Sequence, residues 1–232
     1  MRNLFIFCLL LLIKGLCRIF YRFDFAWVGE VPPDPWRNLR LAALLNHTSL
    51  FEVIFFGILP NPVLWQLASQ GVAPIADKTS SRPVAGRIFR TLAHRVVPIT
   101  RSRDHTWAQV LEEIGPSSMV LLAPEGRMMR RNGRDSEGKK MSIKGGIADV
   151  LETMPAGRFL IGYSGGLHHV QAPGEGLPRL FKTVRLRTET LDIGSYRSEL
   201  QASPLGFRAA VVADLERRKA LHCPPPPGAD PA

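Results

Sequence analysis

The feature that most constrains this chain is a polar hinge set between two oily runs. Arg40-Leu41-Ala42-Ala43-Leu44-Leu45 leads into Asn46-His47-Thr48-Ser49, and residues 50–59 follow with Glu52 as their only charged member. The first run has the length of a buried strand and the second that of a buried helix. Both must be covered, so His47 and Glu52 sit at the seam where two core elements meet. Two readings compete at this point. Ser49-x-x-Glu52 is a capping box, in which serine and glutamate satisfy orphan amides at a helix start. Alternatively, Glu52 accepts the Nδ1 proton of His47, fixes its tautomer and presents Nε2 as a general base. On one continuous helix two side chains five apart diverge by about 140°. The second reading therefore requires His47 to precede the helix and fold back over its first turn. Spacing alone leaves both open.

The rest of the chain alternates in the same way. Strands are expected at Phe25–Gly29, 40–45, Val63–Leu67, Val96–Thr100, Met119–Ala123, Phe159–Tyr163 and Thr183–Thr188. Helices are expected at 50–58, from Thr79 to His94, after an Asp104 cap to Ile114, at 145–151 and at 206–221. Residues 130–142 are charged and polar and read as loop. Strands alternating with helices imply an α/β fold, with a central mixed, largely parallel sheet flanked by helices. The expected organisation is an N-terminal membrane helix (1–24), one domain (25–221) and a disordered Pro-rich tail (222–232).

Thirty basic against twenty acidic residues leave a net charge of +10. Such a surplus attracts polyanions. No basic run interleaved with stacking aromatics and no zinc-finger spacing is present, so nucleic acid is not the expected partner. The N-terminus points to membrane lipid instead. Residues 4–13 are uninterruptedly apolar, and Lys14, Arg18 and Arg22 then recur every fourth residue. Ten apolar residues are too few for an unaided span, which needs about 20. Cations at fourfold spacing share one helical face, as on an interfacial helix. A cleaved signal peptide would need a small-x-small site after the run, and Lys-Gly-Leu-Cys-Arg supplies none. Cys8, Cys17 and Cys223 suggest neither a disulfide framework nor a metal site.

Downstream, Ala123-Pro124-Glu125-Gly126-Arg127 ends a strand with a carboxylate, a glycine and a guanidinium, at the edge where open α/β sheets bind ligands. Arg127, Arg130 and Arg131 are suited to holding a phosphate. Arg101 ends another strand, and Lys144-Gly145-Gly146 opens a helix whose amides favour an anion. Gly162-Tyr163-Ser164-Gly165-Gly166 satisfies the nucleophile-elbow pattern, which offers a serine hydrolase as the alternative. That motif needs a helix directly behind the serine, and a loop follows here. His168-His169 has no third metal ligand at suitable spacing.

In order, Asn46-His47 with Glu52, Arg101, Pro124-Glu125-Gly126 and Lys144-Gly145 resemble the glycerolipid acyltransferases, typified by bacterial lysophosphatidic acid acyltransferases. That family carries Asn-His-x4-Asp and Phe-Pro-Glu-Gly-Thr-Arg, so Glu52 stands for the usual aspartate and Arg127 lies one place early. The resemblance covers roughly residues 40 to 165. It implies transfer of an acyl group from acyl-CoA or acyl-carrier protein to the hydroxyl of a lysophospholipid, with 1-acylglycerol-3-phosphate as the expected acceptor. His47 would be the base and Glu52 its orienting partner. Arg101, Glu125, Gly126, Arg127, Arg130 and Lys144 would bind substrate, and amides near Ser49 would steady the oxyanion. No cofactor or metal is implied. The expected location is the cytoplasmic face of the inner membrane. A catalytically inert membrane-binding protein on the same scaffold is the non-enzyme alternative.

Overall fold

The computed structural model describes residues 1–81, 86, 89–100 and 104–227. Its centre is a seven-stranded sheet of order β1-β7-β6-β2-β5-β3-β4. The strands are β1 (Arg22–Trp27), β2 (Leu39–Leu45), β3 (Gly71–Ala76), β4 (Arg95–Ile99), β5 (Met119–Leu122), β6 (Arg158–Ser164) and β7 (Thr183–Asp192). Strands β6, β2, β5, β3 and β4 run parallel. β7 is antiparallel to β6, and β1 is parallel to β7. The fold is thus α/β with a mixed, largely parallel sheet, as the alternation of strand and helix patterns suggested.

Helices cover both faces, so the central strands are apolar on both sides. Leu41, Ala43 and Leu45 of β2, with Phe159, Ile161 and Tyr163 of β6, face one layer. That layer comprises α4 (His105–Glu112), α5 (Gly146–Thr153), α6 (Ile193–Gln201) and α7 (Phe207–His222). Leu44 and Leu186 point the other way. There they meet α1 (Arg2–Phe20), a 3₁₀ helix (Leu50–Gly57) and α2 (Asn61–Gln70). A single-turn α3 (Asp77–Ser80) follows β3.

Several expectations shift. Val63–Leu67 is helical in α2, because Pro62 in the first turn suits a helix start. The strand comes after it, at Gly71–Ala76. The oily segment after Ser49 is a 3₁₀ helix rather than an α-helix. Asp104 caps α4 as expected, its carboxylate accepting Thr106 N. Residues 82–85, 87 and 88 of the helix expected from Thr79 to His94, and Arg101, lie outside the described residues. The last helix runs to His222, and the carbonyl of Pro225 accepts Arg185 from β7.

Helix α1 is one continuous helix ending at Phe20, long and apolar enough by composition to cross a membrane. Arg22, expected on the same helical face as Lys14 and Arg18, belongs to β1. Those two remaining cations turn inward, because the last turn of the 3₁₀ helix leaves carbonyls unsatisfied. Lys14 Nζ donates to Leu59 O at 2.8 Å, and Arg18 Nε to Gly57 O at 2.8 Å. Between these bonds Gly57 permits close approach: a Cβ there would lie 2.4 Å from the Phe23 ring and 3.3 Å from Cys17 Cβ. Ile6 and Leu10 are fully buried against Leu64 and Leu67. Burial of this kind contributes about 1.5–3 kcal/mol per side chain. Leu4, Phe5, Leu12, Leu16 and Ile19 remain exposed on the outer side.

Candidate active site

Strands β2, β5 and β6 end side by side, and the hinge residues collect at their carboxyl ends. Asn46 takes a left-handed conformation (φ 65°), which turns the chain sharply out of β2. Asparagine tolerates that region better than most residues. The turn is pinned from two sides: Asn46 Nδ2 donates to Ser164 O at 2.8 Å, at the end of β6. Glu125, just past β5, accepts Asn46 N on Oε1 at 2.9 Å and His47 N on Oε2 at 2.8 Å. The amide of Met129 in turn donates to His47 O at 2.7 Å.

His47 therefore precedes the helix and folds back over its first turn. Its Nδ1 contacts Glu52 Oε2 directly. The other oxygen of Glu52 accepts Thr48 N at 2.8 Å and Ser49 N at 3.4 Å, while Ser49 Oγ accepts Phe51 N at 3.1 Å. The capping box is present, and the same carboxylate also holds the imidazole. The two readings left open by the spacing are one arrangement. One consequence runs against expectation. The amides of Thr48, Ser49 and Phe51 all have side-chain acceptors, so they are committed to the cap and not offered to an oxyanion.

The dyad opens on a cavity of about 750 Å³, within the range of small-molecule sites. It runs between the sheet and the 3₁₀ helix past Leu44, Val53, Phe56, Leu121 and Leu186, and is largely apolar there. Its other end is charged, with Arg127, Lys139, Lys140, Lys144 and Arg208 outnumbering Asp135 and Asp149, which pair with Arg127 and Arg208. Trp107 also lines it and donates from Nε1 to Asp149 Oδ2 at 2.9 Å.

The remaining sequence-selected residues fall into distinct places. Gly126 (φ 70°) lies at the cavity, its turn closed by a bond from its amide to Ala123 O at 2.9 Å. Lys144 is exposed at the cavity and donates to Ser142 Oγ at 2.8 Å. Arg127 lines the cavity but is paired with Glu137 and, at 3.5 Å, with Asp135, both from the loop 130–142. Arg130 is exposed and outside the lining. Glu125 reaches the cavity wall, yet it is only 1% exposed, with both oxygens on the backbone of residues 46 and 47. Arg101 lies outside the described residues. Lys139, Lys140 and Arg208 were not singled out from the sequence, where they read as solvated charge. The Lys139-Lys140 pair just ahead of Lys144 was the available signal.

The alternatives fare less well in this geometry. Ser164 is fully buried outside the cavity lining, its Oγ accepts Gly166 N at 3.0 Å, and no helix follows it. His168 and His169 each bond a backbone carbonyl through Nε2, that of Met129 at 2.7 Å and that of Thr183 at 2.8 Å.

No protein-family model matches the chain, and no curated protein matches it either. Among solved structures it is similar to the 1-acyl-sn-glycerophosphate (LPA) acyltransferase PlsC from Thermotoga maritima. The TM-score is 0.53 at 16% identity, over 92% of this chain and 79% of that one. At that identity the likeness is one of fold. The chain has the α/β fold of that acyltransferase, and its own N-terminal helix is apolar.

Proposed function

We propose that this protein is a membrane-associated O-acyltransferase that moves a fatty acyl group from an acyl thioester to the hydroxyl of a lysophospholipid, with 1-acylglycerol-3-phosphate as the preferred acceptor. The observation that carries the reading is the His47–Glu52 pair at the junction of an apolar cavity and a basic mouth. The acyl chain lies along Leu44, Val53, Phe56 and Leu186. The acceptor's phosphate lies at the mouth with Lys140 and Lys144, and Arg127, Arg130 and Arg101 are proposed as further phosphate ligands from the family resemblance alone. As the acceptor oxygen attacks the thioester carbon, its proton passes to His47 Nε2. Glu52 stabilises the imidazolium and holds its orientation. The tetrahedral intermediate collapses with cleavage of the C–S bond, and the thiolate leaves with that proton. Each step uses side chains alone and forms no covalent enzyme intermediate. The donor is acyl-CoA or acyl-carrier protein.

The net positive charge and the exposed apolar side of α1 suit the cytoplasmic face of an anionic inner membrane, where donor, acceptor and product meet. The test is direct. Purified protein is incubated with acyl-CoA and acyl-carrier-protein thioesters and a panel of lysolipids. Transfer lost in His47→Ala is expected. No transfer to any acceptor, or full activity in that variant, overturns the reading. In that event liposome binding unchanged by His47→Ala would leave the inert membrane-binding scaffold standing.

A further inference from the structure

Glu125 spends both oxygens on the amides of Asn46 and His47 at 1% exposure. Two amide dipoles do not neutralise a carboxylate removed from water, so a charge buried this deeply requires a counter-ion. It comes from the far end of the chain. Lys219 on α7 donates from Nζ to Glu125 Oε1, 94 residues away in sequence. The Lys219 side chain is 17% exposed and does not line the cavity, so it reaches Glu125 without meeting substrate.

Helix α7 holds this ammonium rigidly. Arg218, the preceding residue, grips both oxygens of Glu189 at 2.8 Å and Asp214 at 2.6 Å. Glu189 also accepts the Tyr163 hydroxyl from β6, and Asp214 accepts that of Tyr196 at 2.9 Å. Cys223, half-buried beside the pair, has its thiol pushed up to about 12, chiefly by desolvation. It stays neutral and does not compete for the lysine. The same helix also steadies the basic mouth: Glu216 accepts Ile143 N at 2.6 Å, one residue before Lys144.

We propose that Lys219 is a positioning residue for His47: its ammonium holds the Glu125 carboxylate turned onto the Asn46 and His47 amides, and this clamp fixes the left-handed turn that aims the imidazole at the cavity. Without the lysine, the Glu125 carboxylate loses its counter-ion and swings toward water. A displaced oxygen no longer accepts the amide it holds, and the turn at Asn46 loses its brace. The inference rests on His47 acting as the base proposed above.

The experiment uses the full-length protein as wild type, Lys219→Met, Lys219→Arg, Glu125→Gln and the Glu125→Gln/Lys219→Met double variant. Lys219→Met is expected to lower kcat about 10- to 100-fold, the scale of a misaligned catalytic group. KM for donor and acceptor stays within about threefold, and Lys219→Arg restores most of kcat. Selective ¹⁵N-histidine labelling, with His47 assigned from His47→Ala, reads the clamp without any turnover. The His47 amide resonance moves in Lys219→Met and returns in Lys219→Arg. In the Glu125→Gln background, Lys219→Met costs little more, because the two residues act through one another.

A wild-type kcat with an unmoved His47 resonance in Lys219→Met overturns the proposal. So does a loss confined to KM, which would make Lys219 a substrate ligand. If Lys219→Met alone does not fold, the double variant decides, since removing both buried charges together spares the protein an unpaired one. A folded double variant supports the pairing, and one damaged by the sum of both losses refutes it. An inactive wild type defeats the acyltransferase reading, while the resonance still tests the clamp.

Discussion

Two carboxylates meet the His47 turn, one from each side, and their differences are instructive. Glu52 comes from the next helical turn, caps that helix and touches the imidazole itself. Glu125 comes from another strand, touches only the backbone of residues 46 and 47, and takes its cation from the last helix. Each bonds two amides and one cationic or basic side chain. Glu52 does so inside a segment of six residues, whereas Glu125 depends on three separate parts of the chain. In the acyltransferase reading proposed above, the first takes part in the chemistry. In the same reading, the second holds in place the backbone that carries the histidine.

Substitutions that separate stability from turnover test that division. The largest expected effect is that of His47→Ala, which lowers kcat about 10²- to 10⁴-fold, the usual contribution of a general base. Its urea midpoint stays near the wild-type value. A variant that unfolds instead would make the imidazole a structural element. Glu125→Ala comes next and should act on stability, costing about 3–5 kcal/mol because Lys219 and two amides are stranded in the interior. Chemical denaturation measures this, and an equal loss in Glu52→Ala would erase the contrast between the two carboxylates.

Glu52→Gln keeps an oxygen for the Thr48 amide but loses the charge facing His47. Activity is expected to fall about 10- to 100-fold while stability changes by about 1 kcal/mol or less. Unchanged turnover would reduce Glu52 to a capping residue. Asn46→Ala forfeits both the tolerance of a left-handed φ and the bond to Ser164 O, for about 1–2 kcal/mol. Asn46→Gly loses only the bond, so it should be the milder of the two. Last, Lys140→Ala is expected to raise KM for a phosphorylated acceptor about tenfold, leaving kcat and an uncharged acceptor unaffected. If both acceptors respond alike, the basic mouth does not read phosphate.

The same contrast separates what was legible in the sequence from what was not. The hinge and its capping box are local, so residues 46–52 could be read directly, down to the need for His47 to fold back. The sheet followed from the alternation of oily segments. What failed was local ambiguity or distance. Val63–Leu67 is short and apolar, and periodicity does not separate strand from helix at that length. Arg127 looked like a free phosphate ligand because nothing in its motif announces Asp135 and Glu137 across a loop. Lys219 sits in Arg217-Arg218-Lys219, a run that reads as a solvated face. Its burial depends on how α7 docks against β6 and β7, which no window of sequence around it contains. Lys14 and Arg18 were correctly placed on one side of a helix, but the direction that side faces is a tertiary fact.

That last point bears on handling as well as on mechanism. The carbonyls that Lys14 and Arg18 satisfy belong to the end of the helix whose beginning carries Glu52. Removing the N-terminal segment would therefore strip the end of the 3₁₀ helix of two side-chain donors. A truncated protein would expose the oily underside of the 3₁₀ helix and loosen the turn that holds the histidine. Detergent or nanodisc preparations of the intact chain are the form in which its chemistry should be sought.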